Sequence, residues 1–100
     1  ATVDAAPLPA GNAGRGAALY RRNGCYQCHA DEGQGGAQGP RLGPGPITLA
    51  RFIWYSRHPS RAMPPYAEAV MSDQDFADVH AFLAARPAPP ALADIPLLAP

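Results

Sequence analysis

Proline and glycine interrupt this chain so often that little of it can be regular. Thirteen prolines and ten glycines stand among its 100 residues, just under the combined share that marks a disordered chain. Proline fixes φ and removes a backbone donor, and glycine costs a helix conformational entropy, so helices are confined to the stretches between them. Three stretches carry a helical pattern. In the first, Asn12 is a good N-cap, residues 15–22 are good helix formers apart from Gly16, and Asn23-Gly24 supplies a left-handed stop. In the second, Leu49, Phe52, Ile53 and Ser56 recur at helical spacing, Thr48 can cap, and His58-Pro59 ends the run. In the third, Ser72-Asp73-Gln74-Asp75 has the form of a capping box with aspartate in place of Glu or Gln. Phe76, Val79, Phe82 and Leu83 then form an apolar stripe, and Pro87 stops the helix. A glycine at a helix midpoint costs roughly 1 kcal/mol against alanine. Its presence at Gly16, on the face shared with Tyr20, implies that another helix crosses closely there. With no convincing strand and no internal repeat, the expected class is all-α, short helices joined by long loops.

Between these helices, residues 30–46 hold Gly33, Gly35, Gly36, Gly39, Gly43 and Gly45 and can form no regular element. A loop of that length inside a compact domain is excused if it wraps a bound group that replaces the missing side-chain core. Residues 1–11 show no period and read as an extended arm, residues 12–86 as the domain, and the proline-rich residues 87–100 as an extended tail. A chain of 10.4 kDa with 47% apolar residues can build one small core, and such cores usually need a disulfide, metal or cofactor to help them. Two cysteines cannot make a multi-bridge scaffold. Eight arginines, no lysine and eight acids leave zero net charge, which argues against nucleic acid as a partner. No apolar run approaches the roughly 18 residues that span a bilayer, so the chain reads as soluble, with any leader already removed or outside it.

The chemistry is carried by Cys25-Tyr26-Gln27-Cys28-His29, the C-x-x-C-H pattern of covalent c-type haem attachment. Cys28 is three residues and His29 four residues after Cys25, so one helical turn projects all three side chains to one side. Two thioethers can then hold a porphyrin edge while the imidazole reaches the iron. Zinc would need about four N or S ligands, and beyond these three only His58 and His80 remain. A thioredoxin-like dithiol expects a βαβ context that this chain lacks.

With these residues in view, the sequence resembles the small class I cytochromes c over residues 12–85. The resemblance implies a bundle of short helices around one haem, with the first and last helices crossing. Gly16 and Tyr20 resemble the Gly and aromatic of the family's first helix, and Phe82 and Leu83 their partners on its last. Tyr20 lies five rather than four residues before the first Cys, with Gly24 the extra residue. Gly39-Pro40-Arg41-Leu42 resembles the Gly-Pro-x-Leu whose proline carbonyl accepts the Nδ1 proton of the ligating histidine, which would make Pro40 the residue that orients His29. Arg57-His58-Pro59 and Met63-Pro64-Pro65-Tyr66 resemble the run around the distal methionine.

Two methionines could be the second axial ligand. Met63 lies 34 residues beyond His29 in a proline-stiffened segment, whereas Met71 directly precedes Ser72 and can pack on Phe76 as a hydrophobic staple. Met63 is the expected ligand. His58 reads as an exposed loop residue and His80 as a packed or half-exposed one at the helix interface. Haem propionates need donors or positive charge. Arg41, Trp54, Tyr55 and Arg57 are the candidates, Arg57 foremost by resemblance, with core packing the alternative for the two aromatics.

An iron held by His and Met has no vacant position, and thioether sulfur favours the ferrous state and raises the potential. The expected function is therefore one-electron transfer, not catalysis, by haem c on His29 and Met63. A haem enzyme or gas sensor with a labile or vacant distal site is the alternative, and a haem-free dithiol protein a third. The partners expected are redox proteins, a periplasmic dehydrogenase as donor and another cytochrome or oxidase as acceptor. Ile95-Pro96-Leu97-Leu98 is similar to the tails of small cytochromes that accompany such dehydrogenases, and the tail is expected to help hold that partner. Covalent haem attachment and the opening Ala-Thr-Val-Asp-Ala suggest a bacterial periplasmic protein. Seven arginines and three acids up to Arg61, against one arginine and five acids afterwards, suggest a dipolar molecule with a solvated acidic face on the last helix.

Overall fold

The computed structural model describes residues 8–35, 39, 41–59 and 63–87. Most of the arm, Pro40 and the tail beyond Pro87 lie outside the described residues. Four helices run in order, α1 (Ala13–Arg22), α2 (Tyr26–His29), α3 (Leu49–Arg57) and α4 (Asp73–Ala84), with no strand among the described residues. This is the all-α architecture expected of the sequence.

The helix ends follow local chemistry. The Asn12 side chain accepts from the Arg15 N–H at 2.8 Å, and α1 stops where Gly24 takes φ 77°, a conformation glycine adopts without a Cβ penalty. Thr48 Oγ1 accepts from the Arg51 N–H at 3.4 Å at the head of α3. The capping box of α4 closes with aspartate: Ser72 Oγ accepts from Asp75 N–H at 3.1 Å and Asp75 Oδ2 from Ser72 N–H at 3.0 Å.

Helices α1 and α4 cross at Gly16. A methyl group there would overlap the Asp78 carbonyl oxygen, so only glycine lets the two backbones meet. Around the crossing lies the buried core of Leu19, Tyr20, Met71, Phe76, Val79, Phe82 and Leu83. Tyr20 packs on Phe82 with ring centroids 5.3 Å apart, and α3 joins through Phe52, edge-on to Phe76 at 5.7 Å. His80 lies half-buried, its Nε2 2.6 Å from the Ile47 carbonyl, which ties α4 to the segment before α3.

The acidic residues of α4 do not form a free solvated face. Asp78 is 1% exposed and accepts from the Asn12 N–H at 2.8 Å, the Gln74 amide at 2.9 Å and Arg15 Nη1 at 2.6 Å. Arg15 also pairs with Asp75 at 2.7 Å, and Arg57 with Asp73 at 2.8 Å. All three aspartates of the helix are spent on arginines of α1 and α3. Residues 8–11 run beside α4, where Gln74 donates to the Ala10 carbonyl at 2.9 Å.

Candidate functional site

The Cys25–His29 segment is one turn, positioned from both ends. Cys25 N–H donates to the Tyr20 carbonyl at 3.1 Å, so the turn starts directly on α1 despite the extra Gly24. The Cys25 carbonyl in turn accepts from Cys28 N–H at 3.4 Å and His29 N–H at 3.1 Å. Beyond the histidine, the Ala30 carbonyl takes the Tyr20 hydroxyl at 2.5 Å. Burial above all pushes that hydroxyl up to about 12, so it remains a donor at neutral pH.

The three chemical groups differ in exposure. Cys25 is half-buried, Cys28 exposed and His29 half-buried. Burial pushes the Cys25 thiol up, which keeps the free cysteine protonated. The Gly39 backbone closes on the ring of His29: a methyl on Gly39 would stand 2.8 Å from Nδ1 and from the Cys28 carbonyl oxygen. The loop therefore reaches the Nδ1 edge, where the resemblance places the proline carbonyl, although Pro40 itself is outside the described residues. With Nδ1 facing the loop, Nε2 is the nitrogen suited to a metal.

The structure separates the two methionines. Met71 is 1% exposed within the same cluster as Phe76, whereas Met63 is half-buried at the start of a segment without regular structure. The propionate candidates scatter. Trp54 is 56% exposed and stacked on His58 at 4.7 Å, and Tyr55 also faces outward, so neither belongs to the core. Arg41 is exposed beside a cleft shared with Glu32 and Arg86, which themselves form an ion pair. Arg57 is turned inward, with Nη1 on the Tyr66 carbonyl at 3.0 Å, Nη2 on Asp73 and its guanidinium 5.0 Å above the Phe76 ring.

Sequence reasoning gave Tyr66 no role, yet its hydroxyl donates to the Asn23 carbonyl at 2.9 Å, two residues before Cys25. Its place directly after the proline pair was the available signal.

These residues fit a covalent haem. Two thiols and an imidazole share one turn, and the loop lies against the Nδ1 edge of that imidazole. Tyr26, Ile47, Trp54, Tyr55 and Val70 remain more than a third exposed, as in a small chain whose apolar surface is completed by a large planar group. Among the described residues no group of three or more His, Cys, Asp or Glu is placed to hold a metal ion by itself, and no helix is long and apolar enough to cross a membrane.

Residues 11–83 match the family described as cytochrome C oxidase, cbb3-type, subunit III. The match takes in α1, α2, α3, Met63 and all but the last residue of α4. No curated protein matches the chain.

Proposed function

Because the chain belongs to this family of c-type cytochrome domains, carries a covalently bound haem c and transfers electrons through it, we propose that it is a His29/Met63-ligated one-electron carrier. Bound at Cys25 and Cys28, the haem supplies a ferric/ferrous couple. His29, oriented by the loop at its Nδ1 edge, and Met63 would be the two side chains that hold the iron.

The observation that carries this reading is the single turn bearing Cys25, Cys28 and His29, closed by Gly39. Burial of Met71 in the core supports Met63 as the methionine at the iron. A site filled on both sides by protein ligands leaves no position for substrate, which supports a carrier and not an enzyme. Its partners are redox proteins. We place it in a bacterial periplasm, where covalent haem attachment is at home, between a dehydrogenase that donates electrons and a cytochrome or oxidase that accepts them. The family's description names an oxidase subunit, which supports the acceptor side.

The test compares the oxidised protein with two variants. Met63→Ala is expected to abolish the weak long-wavelength sulfur-to-iron band and to lower the reduction potential, and Met71→Ala to leave both nearly unchanged. The reverse pattern would contradict the ligand assignment.

A further inference from the structure

Tyr66 is tied down at three atoms, two of them held by the end of α3 and one by the segment that follows α1. Its N–H donates to the Ser56 carbonyl at 2.9 Å. Its carbonyl accepts from Arg57 Nη1 at 3.0 Å. Its hydroxyl donates to the Asn23 carbonyl at 2.9 Å, 43 residues away in sequence and two residues before Cys25. The ring stands edge-on to Phe76 of α4, with centroids 6.4 Å apart. Arg57 extends the clamp to the start of α4 through Asp73 at 2.8 Å. The end of α3, the start of α4 and the turn that begins the haem-attachment motif thus all meet at this one residue.

Met63 is three residues upstream, and Pro64 and Pro65 fill the interval. Proline holds φ near −65° and so removes the freedom with which a chain absorbs displacement. Movement at residue 66 is therefore passed to residue 63. We propose that Tyr66 is a positioning residue for the distal ligand, its hydroxyl fastening the Met63 strap to the haem-attachment turn and holding the thioether at the iron. The proposal rests on Met63 being the axial ligand.

The test uses the oxidised holoprotein, with imidazole as an external ligand that can bind only after Met63 has left. Tyr66→Phe removes the hydroxyl and keeps the ring on Phe76. Losing one ordinary hydrogen bond should make imidazole binding about fivefold faster, with the sulfur-to-iron band retained before imidazole is added. Arg57→Lys keeps a charge beside Asp73 but gives up the planar fork that also reaches the Tyr66 carbonyl, and should shift the rate in the same direction. Ser72→Ala uncaps α4 without touching the strap; it should lower the melting temperature and leave the imidazole rate unchanged. A wild-type imidazole rate in Tyr66→Phe would overturn the positioning role, as would an equal acceleration in Ser72→Ala, which would indicate general loosening. Absence of the sulfur-to-iron band from the unmutated protein would overturn the Met63 reading and this proposal with it. The band present together with an unchanged Tyr66→Phe rate would overturn the positioning role alone.

Discussion

Ala30 sits at φ 68° and ψ 173°, a region open essentially to glycine alone and costing an L-residue of order 1–3 kcal/mol. The conformation is held from outside: the Tyr20 hydroxyl grips the Ala30 carbonyl, and Gly35 N–H donates to the His29 carbonyl at 2.9 Å just before it. Ala30→Gly should relieve the strain while restoring some unfolded-state freedom. The expected balance is a stabilisation of about 1 kcal/mol, read as a rise of roughly 4–8 °C in the holoprotein's melting temperature; an unchanged or lower value would show that no strain is stored there. Nothing in the sequence marks this alanine, because the strain comes from a partner ten residues earlier. Arg57 teaches the same lesson. Its partners within the protein, Asp73 and the Tyr66 carbonyl, lie 16 and 9 residues further on, beyond the reach of local pattern. Cys25, Cys28 and His29 were legible because their whole geometry lies within one turn.

At the scale of the elements, α1, α3 and α4 stand where caps and periodicity put them, and Gly16 marks the crossing of α1 with α4. What periodicity missed was the direction of Asp78. An aspartate beside an apolar stripe reads as solvated, and only the fold brings Asn12, Arg15 and Gln74 around it. Burial pushes the Asp78 carboxyl up, but the hydrogen bonds from Arg15, the Asn12 N–H and Gln74 outweigh it and hold the group below its ordinary value. Asp75 behaves likewise: burial raises it, but the Ser72 N–H and Arg15 outweigh that and hold it below its ordinary value. A carboxylate lowered in the folded state contributes stability that is full above its unfolded pKa of about 3.9 and is lost as pH falls through the folded value. Asp78→Asn should therefore cost about 2 kcal/mol at neutral pH. The gap between variant and wild type should close as the pH is lowered from about 5 through the folded-state value. Denaturant melts across that range check this, and a gap independent of pH would contradict the ionised role of Asp78.

For the whole molecule, pairing changes what the charge pattern means. The net charge is zero, but the aspartates of α4 face arginines of the protein itself. Arg21, Arg22, Arg41 and Arg51 are exposed and make no ion pair with a described residue. Among the described residues, the exposed charge left outside ion pairs is thus mostly arginine. The chain's small core surrounds the α1–α4 crossing, and the haem-attachment turn hangs directly from it through Tyr20. The cofactor was legible from five consecutive residues; the way in which α3, α4 and the Met63 strap converge on Tyr66 was not, because it is a property of the closed fold. On the proposed ligation, the protein's own side chains, His29 and Met63, fill both sides of the iron. Mixing the fully reduced holoprotein with carbon monoxide in a stopped-flow spectrometer tests that claim most directly. Binding limited by slow Met63 dissociation, and independent of carbon monoxide concentration at saturation, is the expected result. Fast binding whose rate rises in proportion to carbon monoxide would contradict it and identify an open iron site.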